Sequence, residues 1–149
     1  MRRVRPEPWI AGAGALLWSL AAPGWAAAPP GHFRVSGDEV QDTATGLTWQ
    51  RRAPRDTYTR DEAAEFCAGL AVGGERWRVP TIKELQTLVD ESRARPAIDE
   101  QAFPGTASAY FWSSSAVANF SVYTWTVNFA DGSDLWFPNE NRHHVRCVR

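Results

Sequence analysis

The residues best suited to chemistry lie in the last third of the chain, where aromatic, amide and charged side chains occur close together. Aromatic rings stack on the faces of sugar rings and amides bond sugar hydroxyls, so this composition favours carbohydrate recognition. The candidates lie within residues 116–123 and 134–144. The predicted ligand-binding residues are Asn119, Tyr123, Trp136, Asn139, Glu140, Asn141, Arg142 and His143.

Oxygen-bearing side chains in the same region raise calcium binding as an alternative. Calcium takes six or more oxygen ligands, and Asn139, Glu140 and Asn141 offer part of such a set. Asp131 and Asp134 extend it. The Glu-Pro-Asn and Trp-Asn-Asp motifs of calcium-dependent sugar-binding lectins are missing from the sequence. We therefore expect no cofactor and no metal site, and keep calcium as the alternative.

Two adjacent histidines, His143 and His144, do not suit a shared metal ion, because neighbouring side chains of a strand point to opposite faces. With Arg142, Arg146 and Arg149 they form a local basic cluster in sequence. Such a cluster suits an anionic glycan. The competing interpretation is a solvated or salt-bridged strand end.

The sequence gives little support to catalysis. The serine run Ser113–Ser115 lacks the Gly-x-Ser-x-Gly motif of a nucleophile elbow, and no histidine has a spacing that identifies it as the base. We therefore expect that the protein is not an enzyme. A catalytic loop serine or His143 remains the weakest alternative.

The first 26 residues predict a secretory signal peptide. A basic start, "MRRVR", precedes the apolar stretch Trp9–Leu20 and a run of small residues. We expect cleavage after Ala26, with Ala28 as the alternative position. An uncleaved anchor is disfavoured because the apolar run falls short of the roughly 20 residues that span a bilayer. The predicted organisation is a signal peptide over 1–26, a linker over 27–32 and one domain over 33–149.

Removal of the signal peptide makes the chain more acidic. Lysine plus arginine falls from 16 to 13 and aspartate plus glutamate from 17 to 16, so the formal charge changes from −1 to −3. Bulk positive charge therefore does not favour a nucleic-acid partner. We expect an exported protein, periplasmic or extracellular, without a transmembrane segment in the mature chain. Its expected partner is a glycan or a protein at the cell surface, and the oligomeric state stays open.

The chain has only two cysteines, Cys67 and Cys147. Exported proteins mature where thiols oxidise, so we expect one disulfide between them. The bond would close a loop of about 80 residues, worth about 4 kcal/mol in the chain-entropy account. The alternative is two free thiols that serve as catalyst or metal ligands.

Two helices are predicted from capping boxes, in which Thr59 precedes Glu62 and Thr81 precedes Glu84. We expect the first helix to end at Gly73–Gly74 and the second near residues 92–96. The first helix should turn one face inward, consisting of Ala63, Phe66, Cys67 and Leu70. The second should bury Ile82, Leu85, Leu88 and Val89. From there to Ala109 the sequence predicts an exposed, irregular loop.

Strands are expected at both ends of the domain. "FRVSGDEVQDTATGLTWQR" predicts a hairpin with its turn at "TATG". The last forty residues contain "YFWSSS", "YTWTVNF", "LWF" and "HVRCVR", with a turn at Asp131–Gly132. The last strand should lie in the sheet over the first helix, where Cys147 reaches Cys67. The tryptophans expected to fill the core are Trp49, Trp77, Trp112 and Trp125.

Seven segments follow one another along the chain: "VQDTATGLTWQR", "EAAEFCAGL", "WRVPTIKELQTLVD", "PAID", "FWSSS", "WTVNFADG" and "VRCVR". In this order they resemble the Lcl C-terminal domain family, which is named from a bacterial collagen-like adhesin. The resemblance covers about residues 33–149. It implies an α+β, C-type-lectin-like fold with two helices packed on antiparallel strands. It also implies adjacent N- and C-terminal strands, and a disulfide or close contact between the first helix and the last strand.

The resemblance also bears on activity. The name-giving member is an adhesin that binds sulfated glycosaminoglycans. Proteins of similar fold include lectins, diversified surface receptors and the formylglycine-generating enzyme, so the fold alone does not choose a function. We expect an exported module that binds glycan, with a sulfated glycosaminoglycan among the candidates. The alternative is a structural or protein-interaction subunit of the bacterial envelope.

Overall fold

A computed structural model describes residues 31–149 apart from Glu75. The predicted signal peptide and the first four residues of the predicted linker lie outside the described residues. The described part begins with a three-stranded antiparallel sheet of β1 (Phe33–Ser36), β2 (Glu39–Asp42) and β3 (Thr48–Gln50). The turn between β2 and β3 is fixed by Asp42, whose carboxylate accepts the N–H groups of Ala44 and Thr45. The predicted hairpin is therefore confirmed.

The first helix, α1 (Arg60–Ala68), begins at the predicted capping box. The Thr59 hydroxyl accepts the Glu62 N–H, and the Glu62 carboxylate accepts the Thr59 N–H. Its inner face buries Ala63 and Cys67 as expected. The helix ends at Gly69 rather than at the later glycine pair, because glycine is a poor helix former and serves here as the cap.

The second helix, α2 (Ile82–Gln86), begins at the capping box of Thr81 and Glu84 but has only five residues. The chain then continues in turns, so the predicted end near residue 92 is wrong. Leu88 is nevertheless buried, because the turn that follows α2 packs into the core. Arg78 donates two hydrogen bonds of 2.8 Å to Glu84, and these lower the pKa of Glu84 to about 2.

A second antiparallel sheet contains β4 (Tyr110–Val117), β5 (Phe120–Asn128) and β6 (Asp134–Pro138), in that order. The register shifts between the Trp112–Thr126 pair and the Ala116–Thr124 pair, so β4 carries two extra residues there. This irregularity is a bulge at Ser113–Ser115. The turn from β5 to β6 lies at Asp131–Gly132, as predicted, and Gly132 has a φ of 83°.

The C-terminal residues 143–149 connect the two sheets. His144 lies beside β4, where its carbonyl accepts the Trp112 N–H and its own N–H donates to the Tyr110 carbonyl. Farther on, Arg149 exchanges two backbone hydrogen bonds of 2.9 Å with Thr48 of β3. The last residues thus lie beside β3, and β1 is two strands away. The resemblance implied that the N- and C-terminal strands are adjacent, and this expectation is wrong.

The predicted disulfide is confirmed. Cys67 of α1 and Cys147 are joined by an S–S bond of 2.05 Å, and both residues are fully buried. The alternative of two free thiols is therefore wrong. Around the bond lies one buried cluster that includes Trp77, Trp112 and Val145.

The other buried cluster lies between the first sheet, α2 and the second sheet. Its members include Trp49, Leu85, Phe111 and Val127. Of the four tryptophans expected in the core, Trp49, Trp77 and Trp112 are buried, and Trp125 is half-buried.

The connection over residues 96–109 is irregular as predicted, but residues 96–98, 102, 103 and 106 are buried, so the expected exposure is wrong for these residues. Ala97, Ile98 and Phe103 have no exposed surface. Backbone hydrogen bonds fix this segment, with the Ala97 N–H donating to Phe129 at 2.7 Å and the Asp90 N–H donating to Ala97 at 3.0 Å. Apolar side chains fill the core here without any helix or strand.

Two small antiparallel sheets, two short helices and one disulfide confirm the α+β class. None of the helices in the described part of the chain is long and apolar enough to cross a membrane.

Candidate functional site

The hairpin that joins β4 to β5 presents apolar side chains to solvent. Val117 pairs with Phe120, which leaves a two-residue turn of Ala118 and Asn119. Asn119 is exposed at φ 66°, a left-handed conformation that asparagine tolerates better than most residues. After the turn, Phe120 is 59 % exposed and Val122 is 60 % exposed. Asn119 thus shapes the turn that displays these side chains.

Trp136 is the exposed tryptophan of the described chain, with 45 % of its surface accessible. It pairs across the strands with Trp125, and its ring meets Tyr123 at 5.0 Å and 78°. Tyr123 in turn lies 6.5 Å from the Phe120 ring. We call Phe120, Tyr123 and Trp136 the aromatic patch.

Large aromatic side chains exposed together usually mark an interaction site rather than a packing defect. Leu135, 42 % exposed, and Val122 are exposed on the same two strands and were not singled out from the sequence. The sequence "FSVYT" alternates apolar and polar residues, and this alternation predicts a strand with two different faces. It does not predict which part of β5 is exposed. The end of β5 that follows this stretch is covered on both faces, and only the tertiary structure shows this.

Asn139 is a structural residue of this region as well as a predicted ligand. Its amide oxygen accepts the Thr124 hydroxyl at 2.8 Å, and its amide nitrogen donates to the Ser121 carbonyl at 3.0 Å. Its backbone carbonyl accepts the Arg60 N–H at 3.0 Å. These bonds hold the end of β6 against β5 and against the start of α1.

Glu140 and Asn141 follow in an exposed turn, closed by a hydrogen bond from the Asn141 N–H to the Pro138 carbonyl. Arg142 leaves the turn and forms an ion pair of 2.9 Å with Glu62. Its guanidinium also donates to the Thr57 carbonyl at 2.7 Å. The side chains of Glu140 and Asn141 are therefore the polar groups of this turn most open to a ligand.

His143 lies away from the aromatic patch. Its ring packs 4.4 Å from Phe137 and 4.8 Å from Trp112. Phe137 and Trp136 are consecutive strand residues, so their side chains lie on opposite faces of the sheet. Burial, with a smaller contribution from His144, lowers the pKa of His143. The structure thus separates this predicted ligand from Tyr123 and Trp136 and favours its neutral form.

The basic cluster seen in the sequence does not form on the surface. Arg146 is fully buried and donates to the carbonyls of Gln50 and Arg51 at 2.6 and 2.7 Å. Arg149 is bound to Glu39 at 2.9 Å and lies over the Trp77 ring. The expectation of a combined basic patch is therefore wrong, because strand residues on both faces of the C-terminal segment are covered.

The combined oxygen set considered for calcium is also not a single site. Asp134 begins β6 and Asn139 follows its end, so five residue steps, about 16 Å of chain at about 3.3 Å per residue, separate the two residues. Calcium binds oxygen at about 2.4 Å. Within residues 31–149 without Glu75, no group of three or more His, Cys, Asp or Glu side chains is placed to hold a metal ion.

A family model described as the Lcl C-terminal domain matches residues 38–149. This range contains both cysteines, all the predicted ligand-binding residues and every helix and strand except β1. No curated protein matches the sequence.

Proposed function

Because the chain belongs to the Lcl C-terminal domain family, we propose that it is an exported, C-type-lectin-like binding module that recognises carbohydrate through the aromatic patch. The observation that carries the proposal is the exposure of Trp136 at 45 %, with the Tyr123 ring set against it at 78°. An indole face of this kind stacks on the C–H face of a pyranose ring, while the phenol hydroxyl bonds a sugar hydroxyl.

The polar turn beside the patch supplies the directional contacts. Tyr123 pairs with Pro138, so Glu140 and Asn141 begin only two residues from the patch. Their carboxylate and amide accept and donate hydrogen bonds to sugar hydroxyls. Asn139 fixes this arrangement because both ends of its side-chain amide are bonded to β5.

Export is part of the proposal, and the Cys67–Cys147 disulfide supports it. Disulfides persist in oxidising compartments such as the periplasm and the extracellular space. Among the arginines expected to bind sulfate, Arg142 keeps an exposed guanidinium, 54 % accessible, although Glu62 neutralises it. We therefore propose that stacking and hydroxyl contacts dominate and that sulfate adds little.

The proposed role is not catalytic. In the serine run the Ser113 hydroxyl is buried and donates to the Trp125 carbonyl at 2.6 Å. Ser115 accepts the Ile82 N–H at 3.0 Å. These hydroxyls support the bulge of β4, and this bonding favours a structural role for the run.

A glycan array tests the proposal, together with retention on heparin. The oxidised protein and two variants, Trp136→Ala and Val35→Ala, are compared. Val35 is 45 % exposed on β1 and so controls for the loss of an equally exposed apolar side chain. We expect glycan binding that Trp136→Ala removes and Val35→Ala keeps. A folded wild-type protein that binds no glycan contradicts the proposal.

A protein ligand is the second candidate, because β6 is an edge strand of the second sheet among the described residues. Hydrogen bonds from Asn128 to Ser133 and from Asn139 to Val122 fix the register of β6 against β5. In that register the backbone N–H and C=O of Trp136 point away from β5. A free edge with apolar side chains suits addition of a strand from another protein.

Pull-down from envelope extracts distinguishes the two candidates. A stoichiometric protein partner, lost when Leu135 is replaced by lysine but kept with free sugar present, favours the protein ligand. Elution by sugar favours carbohydrate.

A further inference from the structure

A cavity of about 480 Å³ opens between α1, the extended residues 77–81 and the bulge of β4. It shares no residue with the aromatic patch, and its volume lies within the range of small-molecule sites. We propose that this cavity is a second binding site, which takes a small amphipathic carboxylate: one anionic group on an apolar or aromatic body.

The sequence of α1 creates the space. Arg60, Ala64 and Ala68 are spaced four residues apart, so they form one stripe along the helix beside the buried stripe of Ala63 and Cys67. Alanine has the smallest side chain that keeps a helix stable. Two alanines one helical turn apart therefore leave a groove longer than one turn, with Arg60 at one end.

The opposite wall is held in place by the bulge. The Ser114 N–H donates to the Pro80 carbonyl at 2.7 Å, so the extra residues of β4 are tied to the chain just before α2. Ser114, which is exposed, lines the cavity on this side. Trp77 and Val79 supply an apolar floor.

The charge of the lining favours an anion. Two guanidinium groups, those of Arg60 and Arg78, line the cavity, and among its described lining residues there is no carboxylate. Arg78 is already bound by Glu84 through two hydrogen bonds. The guanidinium of Arg60 pairs with the neighbouring Asp61, at 3.2 Å, and that carboxylate is 83 % exposed. Such exposed pairs are weak, so the fork of Arg60 is available to a ligand carboxylate.

Titration of the full, oxidised chain with sodium benzoate tests the proposal, with benzamide as the neutral probe of the same shape. The readout is the ¹H–¹⁵N spectrum, in which the Trp77 indole N–H, bonded to the Val72 carbonyl at 2.7 Å, is a reporter in the floor. We expect benzoate to shift the signals of Trp77 and of the Ala64 and Ala68 amides, with a saturable dependence on concentration. Benzamide should bind at least about tenfold more weakly, because a charged hydrogen bond is lost.

Variants locate the site. Arg60→Gln should weaken benzoate binding about tenfold or more, and Ala68→Leu should abolish it by filling the groove. Arg55→Gln, at an exposed arginine outside the cavity lining, should change nothing. Trp136→Ala should leave benzoate binding intact, so this test stands apart from carbohydrate recognition. Equal binding of benzamide, or full affinity in folded Ala68→Leu, overturns the proposal.

Discussion

Replacement of Arg146 by methionine tests how the C-terminal segment is held between the two sheets. Arg146 is fully buried, and burial lowers its pKa to about 9, so the side chain is still protonated at neutral pH. Its guanidinium donates to the Gln50 and Arg51 carbonyls and, at 2.6 Å, to the Thr106 hydroxyl. It also lies 4.8 Å from the centre of the Phe103 ring. These contacts add to the backbone pairing of the C-terminal segment with β3 and tie both to residues 103–106.

The expected loss follows from two opposing contributions. Each hydrogen bond to a charged donor is worth about 1.5 to 3 kcal/mol, so three such bonds amount to about 5 to 9 kcal/mol. Removing the buried charge returns several kcal/mol of desolvation cost. The balance is a loss of about 2 to 4 kcal/mol in the free energy of unfolding, a large share of the roughly 5 to 15 kcal/mol typical of a domain.

Urea denaturation followed by tryptophan fluorescence measures this loss, provided that the slope with denaturant is unchanged. Arg142→Met is the matched control, because that guanidinium is 54 % exposed and its ion pair with Glu62 should contribute about 1 kcal/mol or less. If Arg146→Met is as stable as the wild type, the buried cation contributes no net stability. The segment would then depend on its backbone bonds and the disulfide alone, and the reasoning would be refuted.

Three further perturbations test the rest of the architecture. Replacing Cys67 and Cys147 by serine should cost about 2 to 5 kcal/mol in urea, because the bond closes a loop across a separation of 80 residues. Hydrogen bonds from Arg78 lower the pKa of Glu84 to about 2, so its contribution to stability should be complete above pH 4.5 and disappear as the pH falls towards 2. Gly132→Ala should lower the free energy of unfolding by about 2 kcal/mol, because φ is 83° and the new methyl group would overlap the side chain of Val89.

Two control variants separate the causes given for Gly132 and Glu84. Gly105→Ala, at φ 70° with open space around the site, should carry the conformational cost without the overlap and lose less. Glu84→Gln should flatten the acid limb of the stability profile, since glutamine does not titrate. An unchanged acid limb, equal losses for the two glycines, or a serine double variant as stable as the oxidised wild type would each contradict the corresponding explanation.

Local signals in the sequence predicted the starts of the helices. The capping boxes at Thr59 and Thr81 involve residues three apart, so no tertiary contact is needed to form them. The ends of the helices were harder to predict. Leu88 continues the apolar spacing of α2, yet it is buried from a turn, because packing rather than helix periodicity fixes its position.

The C-terminal segment shows what strand alternation leaves out. Strand alternation puts Val145 and Cys147 on one face, and both are buried. Arg146 lies between them in sequence and was grouped with a basic cluster suited to an anionic glycan. It is buried because the segment has the first sheet and the residues around 103–106 on its other side, and this arrangement depends on contacts about 40 to 96 residues away in sequence.

The candidate site was predictable in composition but not in geometry. Tyr123 and Trp136 meet because β5 and β6 pair in a particular register. His143 was grouped with them by proximity in sequence, and it packs on the other face of the sheet. The groove beside Arg60 involves two alanines, which carry no chemical signal in a sequence.

The most direct test of carbohydrate recognition is the dissociation constant of the glycan bound most strongly on the array, measured by calorimetry for the wild type, Trp136→Ala and Val35→Ala. Loss of an indole that stacks on a sugar ring should raise the constant for Trp136→Ala about tenfold or more, while the Val35→Ala value stays at that of the wild type. Equal constants for all three folded proteins would contradict a site built on the aromatic patch.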